Sequence, residues 1–385
     1  MNPGIYDDIP NADYHGGEGI SNSGLRIVRE DTPLHYYALR TAANDNEREP
    51  TPAQALGTAF HALILEPELF YKEYCLGIRK SDYPDAVDGS EQLKAMIAKL
   101  NEGRLPKLST TGAKSELVDR IMEVQKLADE GTRMSREELE GLKGAELKAI
   151  LEGANAGRQG LLSTSGTIEQ MATLLRAEGV QFTLWTELKD EWLQNNGHRN
   201  VLEPEQWDQL MNMRDAVMAH PIARAVLLKP GKAERSVYWV DPETGELCRC
   251  RPDWWTDDDI VLDVKSTEDA SLEGFSKSIA NFGYDTQDAF YHDGCEAVGR
   301  PLRAFLFLAC EKTARVVDGK PLGVAVYCLD EAGRELGRAK NRAALATYAE
   351  CKRTKIWPGY SEKVQTISLP QWHMNRNAHL VEGVA

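Results

Sequence analysis

In the C-terminal half the alternation of apolar and polar positions is short in period. ERSVYWV (residues 234–240) and ELCRCRP (246–252) are strand-like runs on either side of the turn-rich DPETG, which predicts a β-hairpin. DIVLDVKS, beginning at Asp259, predicts a third strand with a nearly continuous apolar body. SLEGFSKSIANF and DTQDAFYHDGCEAV then change to helical spacing, before AFLFLACE and LGVAVYCLD return to strand character. Mixed strands and helices in this order predict an α/β or α+β core.

Between residues 81 and 200 the pattern is helical and interrupted. LKAMIAKLNEGRLPKLSTTG, from Leu93, aligns without gaps with LKAILEGANAGRQGLLSTSG, from Leu147, and ten of twenty positions are identical. The chain therefore contains an internal repeat with a period of 54 residues. Each copy predicts a helix, a glycine-containing loop ending in Ser-Thr-x-Gly, and a second helix (KSELVDRIMEV or IEQMATLLRAE). This unit resembles the SAP motif, a small DNA-binding helical hairpin, in Leu105, Pro106, Gly112, Lys114, Leu117 and Ile121. The first copy, residues 93–126, holds seven Lys/Arg against four Asp/Glu; the second, 147–180, holds three against three, with Ile168 and Gly160 where the first has Lys114 and Pro106. Lys107 and Lys114 are therefore candidate DNA contacts. The expected organisation is residues 1–80 and 201–385 as two parts of one domain, and 81–200 as an all-helical insert.

Composition narrows the class. A chain of 385 residues with 42% apolar and 27% charged positions is long enough for more than one structural unit around real cores. Its apolar runs are too short to span a bilayer and its first residues carry no basic or apolar leader pattern, so a cytoplasmic location away from membranes is expected. Seven scattered cysteines argue for reduced thiols; only Cys248 and Cys250 are close together, which excludes a Cys-ligated iron–sulfur cluster. A net charge of −15 argues against polyanion binding by the whole surface while leaving room for a local basic channel.

The candidate chemistry lies in RCRPDWWTDDDIVLDVKST, residues 249–267. Strand alternation puts Asp263 and Lys265 on one face and Val264 on the other; a regular strand entering Asp253 puts Arg249, Arg251 and Asp253 on a common face. Carboxylates and a lysine at the end of an apolar strand cost stability unless they are paired or hold a cation. Hard oxygen ligands select Mg²⁺ or Mn²⁺, and the chemistry that follows is phosphodiester hydrolysis, with Lys265 positioning water and offsetting transition-state charge.

Pro252, Asp253, Asp263 and Lys265 together resemble the PD-(D/E)xK nuclease signature. Gln287 and Tyr291 match the Q-x₃-Y element of its RecB-like branch, and Gly57 and His61 match the G-x₃-H element. GIYDDIPNADYHGGEGISNSGL, LGTAFHALILEPELF, SVYWVDPETGELCRCRPD, LDVKSTEDA, YDTQDAFYHDG and TISLPQW extend the likeness to the nuclease domain of the RecE-type exonuclease VIII family. The resemblance implies a restriction-endonuclease-like α/β core, a mixed central sheet flanked by helices, with the helical insert added. It implies a Mg²⁺-dependent exonuclease that degrades double-stranded DNA from 5′ ends, leaving 3′ single strands for a single-strand annealing protein, and a ring-shaped homo-oligomer. Under it Asp253, Asp263, the Val264 carbonyl and His61 surround metal, with Glu234 as a further acid. Lys265 handles the attacking water, Gln287 and Tyr291 orient DNA or the site, and Arg249 and Arg251 contact DNA. The alternatives are an endonuclease on the same core and a non-catalytic DNA-binding scaffold.

Overall fold

Strand periodicity in the C-terminal half builds two sheets rather than one. The computed structural model describes residues 1–41, 51–126 and 133–381. Its strands are β1 (Gly4–Tyr6), β2 (Tyr74–Leu76), β3 (Asn200–Leu202), β4 (Gly231–Ala233), β5 (Ser236–Val240), β6 (Leu247–Cys250), β7 (Trp254–Thr256), β8 (Ile260–Thr267), β9 (Ala304–Val317) and β10 (Lys320–Tyr327). The main sheet has the order β10-β9-β8-β7-β4, and the expected hairpin β5-β6 lies in a separate three-stranded sheet with β1. Only β8 and β9 run parallel in the main sheet, so it is mixed. The helices Leu272–Phe282 and Tyr284–Ala297 make the crossover that a parallel pair requires. The fold is α/β.

The period of two in β8 divides its side chains between two cores. Val261 joins Phe305, Phe307 and Ala309 under the helices Asn22–Glu30, Tyr284–Ala297 and Glu331–Thr354. Leu262 and Val264 join Leu308 and Cys310 under the helices Pro52–Leu65 and Pro204–Ala219. A strand covered on both faces has no solvent-facing side, which is why IVLDV reads as a continuous apolar run broken only by Asp263.

The chain divides into two compact units, one of 1–76 with 199–385 and one of 77–198. In the second, the expectation that each repeat copy folds as its own hairpin is corrected. The first helix of copy one, Ser90–Asn101, shares a core with the second helix of copy two, Ile168–Ala177, through Leu93, Ile97, Met171 and Leu175. The first helix of copy two, Gly144–Asn155, shares the other core with Lys114–Gln125 through Leu147, Leu151, Leu117, Val118 and Ile121. Polar contacts repeat the exchange with the same offset of 54. Asn101 brackets the backbone of Leu162 (Nδ2 to O 3.0 Å, Oδ1 from N 2.8 Å), and Asn155 brackets Leu108 (2.9 and 2.8 Å). Arg104 Nε donates to the Gly160 carbonyl at 2.7 Å, and Arg158 donates to that of Pro106 at 2.9 Å. The extended segments between the paired helices carry each second helix away from its own first helix. Its apolar face is buried by the other copy, a swap completed within one chain. The lysines of copy one are thereby shared between two composite units.

Candidate active site

Three acids meet where β4 ends and β7 begins against the middle of β8. Trp254 pairs with Leu262 across β7 and β8, so the next step of the register sets Asp253 opposite Asp263. Ala233 pairs with Trp254 across β4 and β7, and the Glu234 amide donates to the Asp253 carbonyl at 3.1 Å, so Glu234 stands on the other side of Asp253. Side chains abreast in adjacent strands face the same way. Glu234, Asp253 and Asp263 thus form one cross-strand row. Glu234 occupies it with φ +52°, an uncommon backbone for a non-glycine residue.

The end of the β7–β8 ladder also frees the backbone of Val264, whose N–H and C=O point to the same side of the strand. The N–H donates to Asp253 Oδ2 at 2.7 Å, and the carbonyl lies 2.6 Å from His61 Nε2. His61 comes from the helix Pro52–Leu65, which starts at a capping box of Thr51 and Gln54 with Pro52 in the first position. Its Nδ1 lies 3.6 Å from Asp253 Oδ2. Asp253 is reached by a break: β6 ends at Cys250, and residues 251–253 lead into the other sheet.

Asp263 is fully buried. Gln287 Nε2 donates to its Oδ1 at 2.6 Å, and Lys265 Nζ stands 2.6 Å from its Oδ2. Both carboxylate oxygens are thereby engaged, Oδ1 by a neutral amide and Oδ2 by the ammonium. Lys265 Nζ also sits 4.8 Å above the ring of Tyr284, a partner that sequence reasoning missed although it lies three residues before Gln287 on the same helix. Tyr291 donates to the Arg251 carbonyl at 3.2 Å and so holds the segment entering Asp253. The helix carrying both is clamped to Glu331–Thr354 by Asp285–Lys340 and Asp288–Arg334 pairs at 2.6 Å, an Asp293–Arg338 pair at 2.9 Å, and Asn341 donating to the Thr286 carbonyl at 2.7 Å. A Cβ on Gly337 would fall 2.1 Å from the Asp285 carbonyl, so this close approach needs glycine.

The expected DNA contacts Arg249 and Arg251 are corrected. Both are buried. Arg249 donates to the carbonyls of His15, Gly17 and Glu18; Arg251 donates to Ser236 Oγ and the Ile9 carbonyl. Their guanidinium carbons lie 4.9 and 3.9 Å over the ring of Tyr14. They tie the N-terminal segment to the site instead of presenting charge to a phosphate backbone. Lys107 and Lys114 are exposed in the helical unit, with Lys114 Nζ donating to the Glu140 carbonyl at 2.6 Å.

The electrostatics follow from burial. Burial, with Asp253 adding to it against the pull of Lys265, pushes the Asp263 carboxyl up to about 6. Burial and then Asp253 push Glu234 up to about 8. Burial works against the charge on Lys265, but Asp263 and Asp253 outweigh it and hold the ammonium above its ordinary range. The row therefore carries more carboxylate than one lysine relieves. His61, Glu234 and Asp253 bring ligand atoms within 4.8 Å of one another, the one such His/Cys/Asp/Glu group among the described residues. Asp263 stands outside that group, held by Gln287 and Lys265. The two carboxylates and the imidazole of that group fit a hard divalent cation. Two clefts, of about 340 and 430 Å³, open onto the row, and Glu234 and Arg251 line both.

The family description "PDDEXK-like domain of unknown function (DUF3799)" matches residues 177–370, half of the chain. No curated protein matches the sequence. A solved structure from Eubacterium rectale named "Putative exonuclease" is similar at 11% identity, over 67% of this chain and 92% of that one, with a TM-score of 0.33. An overlap that loose adds no argument to the geometry. Among the described residues no helix is long and apolar enough to cross a membrane.

Proposed function

Since the chain belongs to the PDDEXK-like family DUF3799, we propose that it is a metal-dependent exonuclease that shortens one strand of linear duplex DNA from its 5′ end. The observation that carries the hydrolytic reading is the cross-strand row of Glu234, Asp253 and Asp263 with His61 and Lys265 beside it. His61, Glu234 and Asp253 would hold the ion, with Asp263 Oδ2 and the Val264 carbonyl alongside. Bound there, Mg²⁺ or Mn²⁺ supplies a Lewis acid for the phosphate and an acidified water as nucleophile.

The remaining work falls to the chain's own groups. Lys265, kept charged by Asp263 and seated over Tyr284, holds the attacking water and offsets charge developing on the phosphorane-like transition state. Gln287 fixes Asp263 Oδ1, so the other oxygen keeps its aim. Tyr291 holds the backbone that delivers Asp253. Full burial of Asp263 strengthens its contacts with Lys265 and Gln287, while the rest of the row faces the two clefts from which a substrate can enter.

What supports the 5′ polarity, the 3′ single-strand product, a ring of subunits and hand-over to an annealing protein is the resemblance to the RecE-type family in the motifs around Asp253, Asp263, Gln287 and His61. Purified protein with Mg²⁺ and linear duplex labelled at either end, beside a closed circle, tests the reading. Early release of the 5′ label as mononucleotide from the unmodified chain, with the circle intact and Asp263→Ala inactive, is the expected result. A cut circle makes the protein an endonuclease. Retention of DNA without any cleavage makes it a scaffold.

A further inference from the structure

β8 ends at Thr267, paired with Glu311, but β9 runs on to Val317 and returns as β10. A two-stranded ribbon thus leaves the main sheet at the end that carries Asp263 and Lys265. Its tip is the two-residue turn Asp318-Gly319, both with positive φ (+49° and +75°), the mirror-type hairpin turn that asparagine, aspartate and glycine favour. A wide bulge bends it: four residues, 311–314, stand opposite Gly323 alone, between the Arg315–Leu322 and Cys310–Val324 pairs. Glu311 ties this bend to the chain leaving β8 by accepting from the Ala270 amide at 3.0 Å.

Beyond the bulge the register places Arg315 opposite Leu322 and Val317 opposite Lys320, so these four share one face, with Val316 and Pro321 on the other. All four are exposed, Val317 at 43% and Leu322 at 47%, and Val316 is exposed at 40%. Among the described residues neither the Arg315 nor the Lys320 side chain has an ion pair or hydrogen bond. The neighbouring Lys312, by contrast, is paired with Glu268. Lysine on an edge strand ordinarily serves to prevent edge-to-edge pairing. That purpose does not account for Val317 and Leu322 left in water between the cations, nor for Val316 exposed on the other face.

We propose that this ribbon is a contact surface for duplex DNA, its cations meeting phosphates and its apolar residues meeting the sugars and base edges of a groove. The inference rests on the nuclease reading. What favours DNA is charge complementarity, since these two cations stand free on a protein of net charge −15, on a ribbon that continues the sheet of the acid row outward past the end of β8. The flat apolar side chains between them suit a groove wall, as in β-ribbon readers of DNA.

The test is duplex binding by the full chain in EDTA, over a salt series, for the unmodified protein and for R315A/K320A and V317S/L322S. Thermal midpoints check that each variant is folded. Cleavage of a small chromogenic phosphodiester, too short to reach the ribbon, is measured in parallel with Mg²⁺. The expected result is about fivefold to twentyfold weaker binding by R315A/K320A, with the salt dependence shallower by about two phosphate contacts. V317S/L322S weakens binding with the salt dependence unchanged, and both variants cleave the small ester like the unmodified chain. Unchanged affinity and salt slope in folded R315A/K320A overturn the proposal while leaving the nuclease reading intact. A shift in sedimentation of either variant, with DNA binding unchanged, assigns the ribbon to contact between copies of the chain instead. Absence of both DNA cleavage and ester cleavage in the unmodified chain refutes the nuclease reading itself.

Discussion

The acid row and the swapped helical unit bury polar groups in opposite ways. In the unit 77–198 the half-buried polar groups are matched one to one: Asn101 and Asn155 satisfy the backbone of Leu162 and Leu108, and Arg104 pairs with Glu178. In the other unit the row gathers three carboxylates at the sheet, one of them fully buried, against the single ammonium of Lys265. A satisfied network specifies a packing, whereas a row with more carboxylate than cation is relieved by protons or by a bound cation. The first region is built for assembly of its own helices and the second for something the chain itself does not contain.

The largest expected effect comes from removing the row's chemistry. Asp263→Ala should lower turnover on linear duplex by about a thousandfold or more, and Lys265→Met by about a hundredfold, because each removes charge placed for the transition state. Turnover assays on end-labelled duplex read both. An Asp263→Ala protein retaining a tenth of the activity would remove the row from the chemistry and erase the contrast between the two regions.

The pH response sharpens it. Asp263 and Glu234 titrate at about 6 and about 8 in the folded chain, above the ordinary carboxylate range, so folding takes up protons there. Their stabilising contribution is complete at acid pH below that ordinary range and is lost as pH rises through 6 and then 8. In EDTA the thermal midpoint of the unmodified chain should therefore fall between about pH 5 and pH 8.5 relative to an Asp263→Asn/Glu234→Gln variant. Mg²⁺ should restore most at the alkaline end, and its half-saturating concentration should drop as pH rises. Parallel melting curves for the two proteins would refute the assignment of the buried charge.

A smaller effect tests the swap. Asn101→Ala and Asn155→Ala each leave a half-buried backbone N–H and C=O without their side-chain partner, which costs about 0.5–1.5 kcal/mol. By the repeat's symmetry the two losses should be alike, read as lost amide hydrogen-exchange protection in residues 77–198, with turnover on short duplex within about twofold of the unmodified chain. A loss confined to one of them would break the equivalence of the two composite cores.

The smallest effect concerns charge on the helical unit. The exchange shares the basic copy between both composites, and Lys114 already donates to the Glu140 carbonyl. Lys107→Ala/Lys114→Ala should then weaken duplex binding only about twofold to fivefold and flatten its salt dependence by at most about two contacts. A larger loss would make the helical unit a principal DNA surface.

Much of this was readable along the chain, where the information is periodic or local. Alternation within IVLDVKST alone determines that Asp263 and Lys265 share a face, and helical spacing determines that Gln287 and Tyr291 do, because both follow from backbone geometry over a few residues. The 54-residue repeat and its helix, loop, helix content were equally plain. What only the tertiary structure decided depends on pairing between distant segments. The register of β4 against β7 put Glu234 in line with Asp253, and the end of the β7–β8 ladder turned Val264 toward Asp253 and His61. Burial under Tyr14 and the N-terminal segment turned Arg249 and Arg251 from expected DNA contacts into internal ties. The choice of partner for each repeat helix was likewise closed to the sequence. Two copies with half their aligned positions identical offer nearly the same apolar face, and the course of the extended segments between them settled which face each helix met.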